Sequence, residues 1–329
     1  MEIIRITLAL LLGSLAFLGL STNLVVIGPV SKLALKSKKS SIYVISMVNI
    51  INDIVILTLI LGYLTPTIMF DGPLFDPSKY GRIPIIVSTV FMITWYLGSL
   101  TQIIMAVNRL LVICILQHNL FNTRRTLRIF WIIVPLAVFG AIFSQYLAPC
   151  CTLIFDFEFF SFSYAEIVGQ LNYSNIFVDL ALNSVTSFTA FICYSVIVFY
   201  IKNASNVVST NFGDAAKRSR KMKEYSHAVQ FCMISVFYTF SWISFRIFPM
   251  FLKTKEFYIL IPLAVCFNSS ANAVIYLVYN KDVQFAVRNT QTFSKVFVSK
   301  NKTPTIVLAT LQEMQSSQKK PNKMESTKF

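Results

Sequence analysis

Charged residues are scarce in this sequence, and their scarcity excludes an ordinary soluble protein. Only 13% of the 329 residues are charged and 55% are hydrophobic, with a mean hydropathy of +0.65. A soluble chain of this length needs more charge on its surface to remain in water. The apolar runs are about twenty residues long and do not alternate as barrel strands do. These features predict an all-α integral membrane protein.

Several chemical motifs are also missing. The chain has two histidines and six cysteines, but no CxxC or Cys/His spacing that is typical of a metal site. It has no HExxH motif, glycine-rich phosphate loop or nucleophile elbow, so an enzyme finds no support. The net charge of +15 does not indicate nucleic-acid binding, because the basic residues form short clusters between apolar runs, as expected beside a bilayer.

Seven apolar runs are each long enough to cross about 30 Å of hydrocarbon. They cover residues 6–30, 42–70, 84–116, 127–149, 176–201, 226–252 and 257–279. Together they predict a seven-transmembrane helix bundle within residues 1–290. A short amphipathic helix is predicted at 280–290. The Lys-, Ser-, Thr- and Gln-rich segment 299–329 is predicted to be a disordered cytoplasmic tail.

The loops between the spans alternate in charge. Basic residues concentrate in the first, third and fifth loops and in the tail, whereas the fourth loop carries acids and no Lys or Arg. Short basic loops remain cytoplasmic, so the N-terminus is predicted outside and the C-terminus inside. In this orientation Asn172 is the one Asn-x-Ser/Thr sequon in an outer loop, which makes it the predicted glycosylation site.

A few polar side chains lie inside the spans, where ionisable groups are costly. Asp53 lies about halfway along the second span, and we interpret it as the one deep acid of the bundle. Asn23 of the first span, with Asn268 and Asn272 of the seventh, is predicted to converge on it. This polar core is either a passive clamp that fixes helix packing, or a switch in which Asp53 binds a proton or a cation such as Na⁺.

The positions of these and other residues resemble a known family. Polar and aromatic fixed points occur in the first, second, third, fourth and seventh spans: Asn23, Asp53, Asn108–Arg109, Trp131 and Asn272–Tyr276. This arrangement resembles rhodopsin-like G protein-coupled receptors, as does the aromatic pair in Tyr238–Trp242. The AVNR ending of the third span, the PCC motif with its acidic-aromatic loop at 149–160 and the basic segment 217–231 are similar to the nematode serpentine chemoreceptors of class x. The resemblance covers residues 10–290.

The resemblance implies a chemosensory receptor that binds an external small molecule or peptide and activates a heterotrimeric G protein. It also implies a multi-pass protein among the lipids of the plasma membrane, with a sensory cilium as one candidate location. The alternative function is a seven-span ligand-gated ion channel or transporter. Transporters usually show internal repeats and several midplane charges, and the two halves of this chain show no repeat.

The chain departs from the family pattern at several positions. Asn108 replaces the acid that usually precedes Arg in the third span, and Ala273 and Ser244 replace prolines of the seventh and sixth spans. The start of the third span has no cysteine, so the disulfide that usually ties it to the outer loop cannot form there. Cys150 and Cys151 are therefore either free or paired with each other.

Arg109 stands near the cytoplasmic end of a third span that is otherwise almost wholly apolar. Either it extends to lipid phosphates, or, as the resemblance implies, it faces the bundle and lines the crevice that a G protein enters, with Tyr276 in the same switch region. In the second interpretation Asn108 adds a neutral hydrogen bond and Glu224 is the main restraint, because Glu224 precedes Trp242 by five helical turns and shares its face. Otherwise Glu224 only pairs with basic neighbours on its own helix.

The outer halves of the spans are predicted to form the ligand pocket. Six side chains are candidates for its lining: Phe91, Trp95, Tyr238, Trp242, Phe245 and Arg246. Aromatic stripes at helical spacing are typical of helix packing as well as of ligand contact. Arg246 either anchors an acidic ligand or extends outward to the interface, and we favour the outward position. The third span has no aspartate, so an amine has no partner there of the kind that aminergic receptors use.

Epitope tags on the two ends of the chain test the predicted orientation. We expect an N-terminal tag to be stained on intact cells and a C-terminal tag to be stained only after permeabilisation, because the basic loops stay on the cytoplasmic side. A C-terminal tag that is stained without permeabilisation would contradict the orientation and, with it, coupling to a G protein.

Overall fold

Seven long helices run through the described part of the chain in the computed structural model. The structure describes residues 2–36, 41–115, 121–167, 169–208, 215–251 and 254–288. Numbered by span, the helices are α1 (Glu2–Lys36), α2 (Ser41–Phe70), α3 (Arg82–Cys114), α4 (Thr123–Leu147), α5 (Ser174–Leu180 and Ala181–Val208), α6 (Ala215–Phe251) and α7 (Lys255–Tyr279). Each is long and apolar enough to cross a membrane, which confirms the predicted seven-helix fold.

The helices extend beyond the apolar runs that predicted them. The largest difference is in α6, which begins at Ala215, well before the apolar run that starts at 226. Hydropathy marks only the part of a helix that suits hydrocarbon, whereas the backbone hydrogen bonds of a helix continue through polar residues outside it. The basic residues ahead of that run therefore belong to the helix and not to the preceding loop.

Three helices contain π-helical segments close to the same end of the bundle. These wide turns cover Ile60–Leu64 near the end of α2, Phe143–Leu147 at the end of α4 and Ser174–Leu180 at the start of α5. A π-helical turn shifts the direction in which the following side chains point and is frequent at functional sites. It also moves residues away from the face that a 3.6-residue period assigns to them.

A β-hairpin follows α4, and the sequence patterns did not predict it. Strand β1 (Leu153–Asp156) pairs antiparallel with β2 (Ser161–Tyr164). The turn between them is a 3-10 helix, Phe157–Phe159, which Asp156 caps by accepting a hydrogen bond from the backbone N–H of Glu158 at 3.1 Å. All four residues of β1 are buried, so the strand packs against the bundle and does not stand in solvent.

Large apolar side chains cover the outer faces of the helices. Trp131 is 80% exposed, and Phe188 and Phe191 of α5 are similarly exposed. In water such a surface would drive association, but in a bilayer it faces acyl chains. The described interior, by contrast, holds many polar side chains, among them Arg109, the largest of the fully buried ones. The polar side chains that are candidates for a functional site therefore lie inside the bundle.

Residues 281–288 are helical, within the region predicted at 280–290. Asn280 starts this turn, because its side-chain oxygen accepts hydrogen bonds from the backbone N–H groups of Asp282 and Val283. The described residues up to Gln284 form one compact unit. The segment 299–329, predicted to be disordered, lies outside the described residues.

The predicted glycosylation site at Asn172 does not fit the structure. Its side chain is 7% exposed, and the nitrogen to which a glycan would attach is buried. The side-chain oxygen accepts a hydrogen bond from the backbone N–H of Asn175 at 2.9 Å, as expected of a residue that caps a helix start. A sequon identifies a sequence pattern only, and here the folded chain uses the asparagine to begin α5.

Candidate functional site

Arg109 lies in the bundle near the end of α3 that is remote from the hairpin, which we call the arginine end. Its side chain is only 1% exposed, so it does not extend to lipid. The guanidinium donates from Nε to Oδ1 of Asn108 at 3.1 Å and also donates from Nη2 to the same oxygen. It lies 5.3 Å from the centre of the Phe231 ring on α6, within the range of a cation–π contact. Of the two interpretations of Arg109, the structure supports the one in which it faces the bundle.

The residues around this guanidinium join four helices. Asn108 donates from Nδ2 to Oγ of Ser41 on α2 at 3.0 Å. Tyr276 of α7 donates its hydroxyl to Oγ of Ser46 on α2 at 2.6 Å, and its ring packs edge-on against Phe231. Any movement of α6 away from α3 must therefore also disturb the ring contact between Phe231 and Tyr276 of α7.

Glu224, the predicted main restraint of Arg109, belongs to α6. Its backbone is helical, but its side chain lies outside the described residues. The pairing between the two residues therefore stays a prediction.

Asp53 lies in a polar cavity at the middle of the bundle. The carboxylate is 3% exposed and accepts a hydrogen bond from Nδ2 of Asn272. The cavity, of about 270 Å³, is lined by eleven residues: Asn49, Asn52, Asp53, Ile56, Thr94, Trp95, Gly98, Gln102, Tyr238, Asn268 and Asn272. Asn268 and Asn272 thus converge on Asp53 as predicted.

Asn23 does not join this cavity, which corrects the prediction. Its amide donates to the backbone carbonyl of Gly19 at 2.9 Å and to that of Ser269 on α7 at 3.0 Å. The carbonyl on the facing helix is a sufficient partner for the amide, so Asn23 acts as a clamp between α1 and α7.

Asn49 and Asn52 are members of the cavity that the sequence interpretation missed. Asn49 precedes Asn52 by three residues and Asp53 by four along α2, so it shares a helix face with both, and this spacing is a signal that could have found it. The side-chain oxygens of Asn52, Asn268 and Asn272 are buried and have no hydrogen-bond partner. Buried oxygens of this kind bind ordered water or hard cations, so the residues present fit a small cation beside Asp53.

A second cavity, of about 330 Å³, lies beneath the hairpin at the end of the bundle that we call the hairpin end. Its lining consists of Phe91, Met92, Trp95, Leu153, Phe162, Tyr164, Asp179, Phe245 and Val265. Three of the six predicted pocket residues, Phe91, Trp95 and Phe245, belong to it. Tyr238 lines the middle cavity instead. Trp242 lines neither cavity but packs against the same aromatic core.

The hairpin closes this cavity with its own side chains. Phe162 stacks on Phe91 of α3, with 4.4 Å between the ring centres, and Phe155 meets the same ring edge-on at 5.4 Å. Burial raises the pKa of Tyr164 well above its usual value, so its phenol stays neutral. Sequence reasoning missed these residues because they reach the bundle only once the two strands pair.

Ionic and polar contacts hold the hairpin in place where the family's usual disulfide is absent. Lys79, just before α3, approaches Glu158 to 2.7 Å and Asp156 to 3.4 Å. Gln145 of α4 exchanges two hydrogen bonds with the backbone of Leu153, at 2.8 and 3.0 Å. The structure joins Cys150 and Cys151 to each other in a disulfide, so that bond does not link the hairpin to α3.

The charge of Lys79 is secure over the physiological pH range. Burial by itself lowers the pKa of its ammonium group, but the hydrogen bond to Glu158 and the charges of Asp156 and Glu158 raise the pKa more, so that it lies above its usual value. A raised pKa means that the ion pair stabilises the fold fully below the ordinary titration range of lysine, and that this contribution is lost only as the pH rises through the folded-state pKa.

Arg246 pairs with an acid that the sequence interpretation overlooked. Its Nη2 donates to Asp179 Oδ2 and to the backbone oxygen of Asn175, both at 2.8 Å, and its Nη1 donates to the side chain of Asn175. The favoured outward position of Arg246 is therefore wrong. Asp179 is 3% exposed, so Asp53 is not the one deep acid. Asp179 was overlooked because it lies close to the start of the apolar run at 176, where the hydropathy pattern predicts the edge of the membrane and not a buried position.

Asn183 connects the two cavities. It donates to Asp179 Oδ1 at 2.8 Å, and its own side-chain oxygen accepts from Oγ of Ser99 at 3.0 Å and from the hydroxyl of Tyr238. Trp95, which lines both cavities, stacks on Tyr238 with 5.6 Å between the ring centres. A continuous set of hydrogen bonds and ring contacts therefore joins α3, α5 and α6 between the two cavities.

Comparison with known proteins identifies the family. The family model described as serpentine type 7TM GPCR chemoreceptor Srx matches residues 14–280. The chain belongs to the Srx chemoreceptors. The predicted nematode class is thereby confirmed, and the receptor is a G protein-coupled receptor that crosses the membrane several times.

Solved structures support the fold of the receptor. Squid rhodopsin superposes with a TM-score of 0.70 over 98% of this chain and 93% of its own, at 16% sequence identity. Identity at this level shows a shared fold and nothing about ligand or partner. Among curated protein sequences, none matches the receptor.

Removal of the Lys79 charge should loosen the hairpin. In Lys79→Met, Asp156 is left buried with its charge less compensated, which costs about 1–3 kcal/mol. We expect hydrogen exchange of the amides in 153–164 to become about tenfold faster, the equivalent of 1.4 kcal/mol. Mass spectrometry of the receptor in nanodiscs measures this exchange.

Two variants serve as controls for that experiment. Glu158→Gln removes the more exposed partner and should have a smaller effect, because exposed ion pairs contribute little. Lys255→Met removes an exposed lysine near the start of α7 and should leave exchange in the hairpin unchanged. Equal exchange in Lys79→Met and the wild type would show that the ring contacts and the Gln145 hydrogen bonds hold the hairpin without the ion pairs of Lys79.

Proposed function

We propose that this receptor binds an external chemical cue, a small molecule or peptide, in the hairpin-end cavity and activates a heterotrimeric G protein at its arginine end. The plasma membrane is its proposed location, with a sensory cilium as the specific candidate. The burial of Arg109 at the meeting point of α2, α3, α6 and α7 is the observation that carries the proposal. The family assignment favours it over a seven-span channel or transporter.

The surroundings of Arg109 suit a two-state switch. The contacts of its guanidinium include the amide of Asn108 and the ring of Phe231 on α6. If α6 moves outward, the ring contact is lost and the guanidinium lines the space that opens. A partner that binds only this open state shifts the population toward it by its difference in affinity. We infer that the partner is the G protein.

The hairpin-end cavity has the lining expected of a ligand site. Its wall is mostly apolar and aromatic and carries a polar group in Asp179, as is usual for small-molecule sites. The contacts through Asn183 and Tyr238 offer a physical route from this cavity to the polar core. Coupling along that route is part of the proposal.

We propose further that a sodium ion occupies the middle cavity beside Asp53. The carboxylate supplies the charge, and the unpaired oxygens of Asn52, Asn268 and Asn272 supply neutral ligands. Such an ion would hold α2 and α7 together and oppose rearrangement. The alternative is a passive clamp between Asp53 and Asn272 that ordered water completes.

Asp53→Asn separates these alternatives, because it is nearly isosteric but removes the charge. We expect surface expression to persist, while signalling changes and loses its dependence on sodium. Assays of G protein activation in membranes, with Na⁺ replaced by N-methylglucamine, measure both. The control Asn23→Ala removes the clamp between α1 and α7 and should leave the sodium dependence intact. If signalling and sodium dependence of Asp53→Asn equal those of the wild type, the passive clamp is correct.

Substitutions at the arginine end test the coupling proposal. Arg109→Ala should abolish G protein activation and leave surface expression largely intact. Asn108→Asp should lower ligand-independent activity, because an ion pair of the guanidinium with a carboxylate is stronger than its present hydrogen bond to a neutral amide. A difference of about 1 kcal/mol shifts a two-state population about fivefold. Glu224→Gln should raise basal activity, non-additively with Asn108→Asp if both side chains act on one guanidinium.

Basal and ligand-stimulated G protein activation, with membrane current recorded in parallel, provide the readout. Arg128→Ala is the matched control, since it removes an exposed arginine from the same end of the bundle and should couple normally. Normal stimulated signalling by Arg109→Ala would refute its role in coupling. Ligand-induced current without G protein activation would favour a channel.

A further inference from the structure

The hairpin-end cavity contains one charged side chain among the described residues that line it, Asp179. This carboxylate is 3% exposed and already has three side-chain partners: Asn183, Arg246 and Trp95. Oδ1 accepts from Nδ2 of Asn183 and Oδ2 accepts from Nη2 of Arg246, each at 2.8 Å. Arg246 itself does not line the cavity, because its guanidinium points to Asp179 and Asn175. A molecule in the cavity therefore meets the acid of the ion pair and not the base.

The ion pair makes the cavity electrically neutral. Arginine keeps its proton at any accessible pH, and its charge cancels that of the carboxylate. A ligand anion would face the oxygens of Asp179 directly, with like charges in a medium of low dielectric constant. A ligand cation would place a second positive group on a carboxylate that Arg246 already neutralises. Either charged ligand would lose its hydration without gaining an unpaired opposite charge.

The carboxylate nevertheless retains the capacity to accept a further hydrogen bond. An ionised carboxylate has about four acceptor positions, and its contacts with Asn183, Arg246 and Trp95 leave about one open. An N–H or O–H group of a neutral ligand can use one of them. Such a bond is charge-assisted and stronger than a bond between neutral groups, so one donor at this point orients the ligand.

Aromatic side chains form most of the remaining wall. They come from α3, the hairpin and α6: Phe91, Trp95, Phe162, Tyr164 and Phe245. Tyr164 and Phe245 meet at an angle of 61°, and Phe91 lies nearly parallel to Phe162. Flat rings in both orientations favour a planar ring ligand, through offset stacking on one face and edge contact at another.

We propose that the cavity selects a neutral, largely apolar ring compound that donates one hydrogen bond to Asp179, and that the Asp179–Arg246 pair excludes charged compounds of the same shape. The inference rests on the proposed function only in taking the cavity as the ligand site. It makes the ion pair a determinant of ligand charge, in addition to a link between α5 and α6.

Matched probes test the proposal by direct binding to the purified full-length receptor in nanodiscs, without a G protein. The probes are indole (a neutral donor), N-methylindole (neutral, without the donor), tryptamine (a cation) and indole-3-acetate (an anion). We expect indole to bind the wild type at least tenfold more tightly than each of the others. Tighter binding of tryptamine or indole-3-acetate overturns the proposal, as does equal binding of N-methylindole. Absence of binding by all four probes also overturns it.

Variants that remove one charge of the ion pair at a time should change the ligand preference in opposite directions. Asp179→Asn leaves Arg246 uncompensated and should shift the preference to indole-3-acetate, whereas Arg246→Gln leaves Asp179 uncompensated and should shift it to tryptamine. The double variant is neutral again and should discriminate against both charged probes. Asp71→Asn removes a partner of Arg5 in an ion pair of α1 and α2 and should not change the preference. A single variant that does not fold leaves the wild-type panel and the double variant decisive.

The binding and signalling measurements test the charge selection and the proposed function separately. If indole binds as expected but no compound activates a G protein, the proposed function is wrong and the assignment of the cavity stands. If the receptor couples to a G protein but the wild type prefers a charged probe, the proposed function stands and the charge selection is wrong.

Discussion

A polar side chain inside a lipid-embedded bundle has no bulk water to bond with, and it must find its partner within the protein. This requirement explains the polar contacts in the cavity around Asp53 and at both ends of the bundle. Asp53 of α2 accepts from Asn272 of α7, and Asp179 of α5 accepts from Arg246 of α6. Because each pair joins two helices, satisfying the polar group also fixes how those helices face each other. The hydrogen bonds and ion pairs that compensate for the burial of these polar side chains are also the contacts that a ligand or a cation can change.

The hairpin end and the arginine end differ in the contacts that hold their helices together. At the hairpin end, stacked rings and the ion pairs of Lys79 close a cavity without a disulfide to α3. At the arginine end, the contacts of Arg109 include the side chain of Asn108 and the ring of Phe231. Between them, Asn183 and Tyr238 join α3, α5 and α6. Through these contacts, and through Trp95, which lines both cavities, the hairpin-end cavity is connected to the polar cavity around Asp53.

The fold was largely predictable, and the candidate site only in part. The length of each apolar run is set by the bilayer, so seven spans were found, although α6 begins at Ala215, well before its apolar run. Asn268 and Asn272 were placed correctly because residues one turn apart share a helix face. The hairpin was missed because its strands are short and gain stability only against the bundle. Asp179 was missed because its depth depends on a π-helical segment, which no 3.6-residue period describes.

What the sequence determined by itself was the number of helices, their approximate ends and the faces on which their polar residues lie, because these follow from local hydrogen bonding and from hydrophobic length. The tertiary structure decided which polar groups meet. Arg246 turns to Asp179 and not to the interface, and Asn23 reaches a backbone carbonyl and not Asp53. Each helix can rotate and shift along its neighbours without any change in its own pattern. Only the packing of all seven together selects the rotation at which the buried polar atoms find partners.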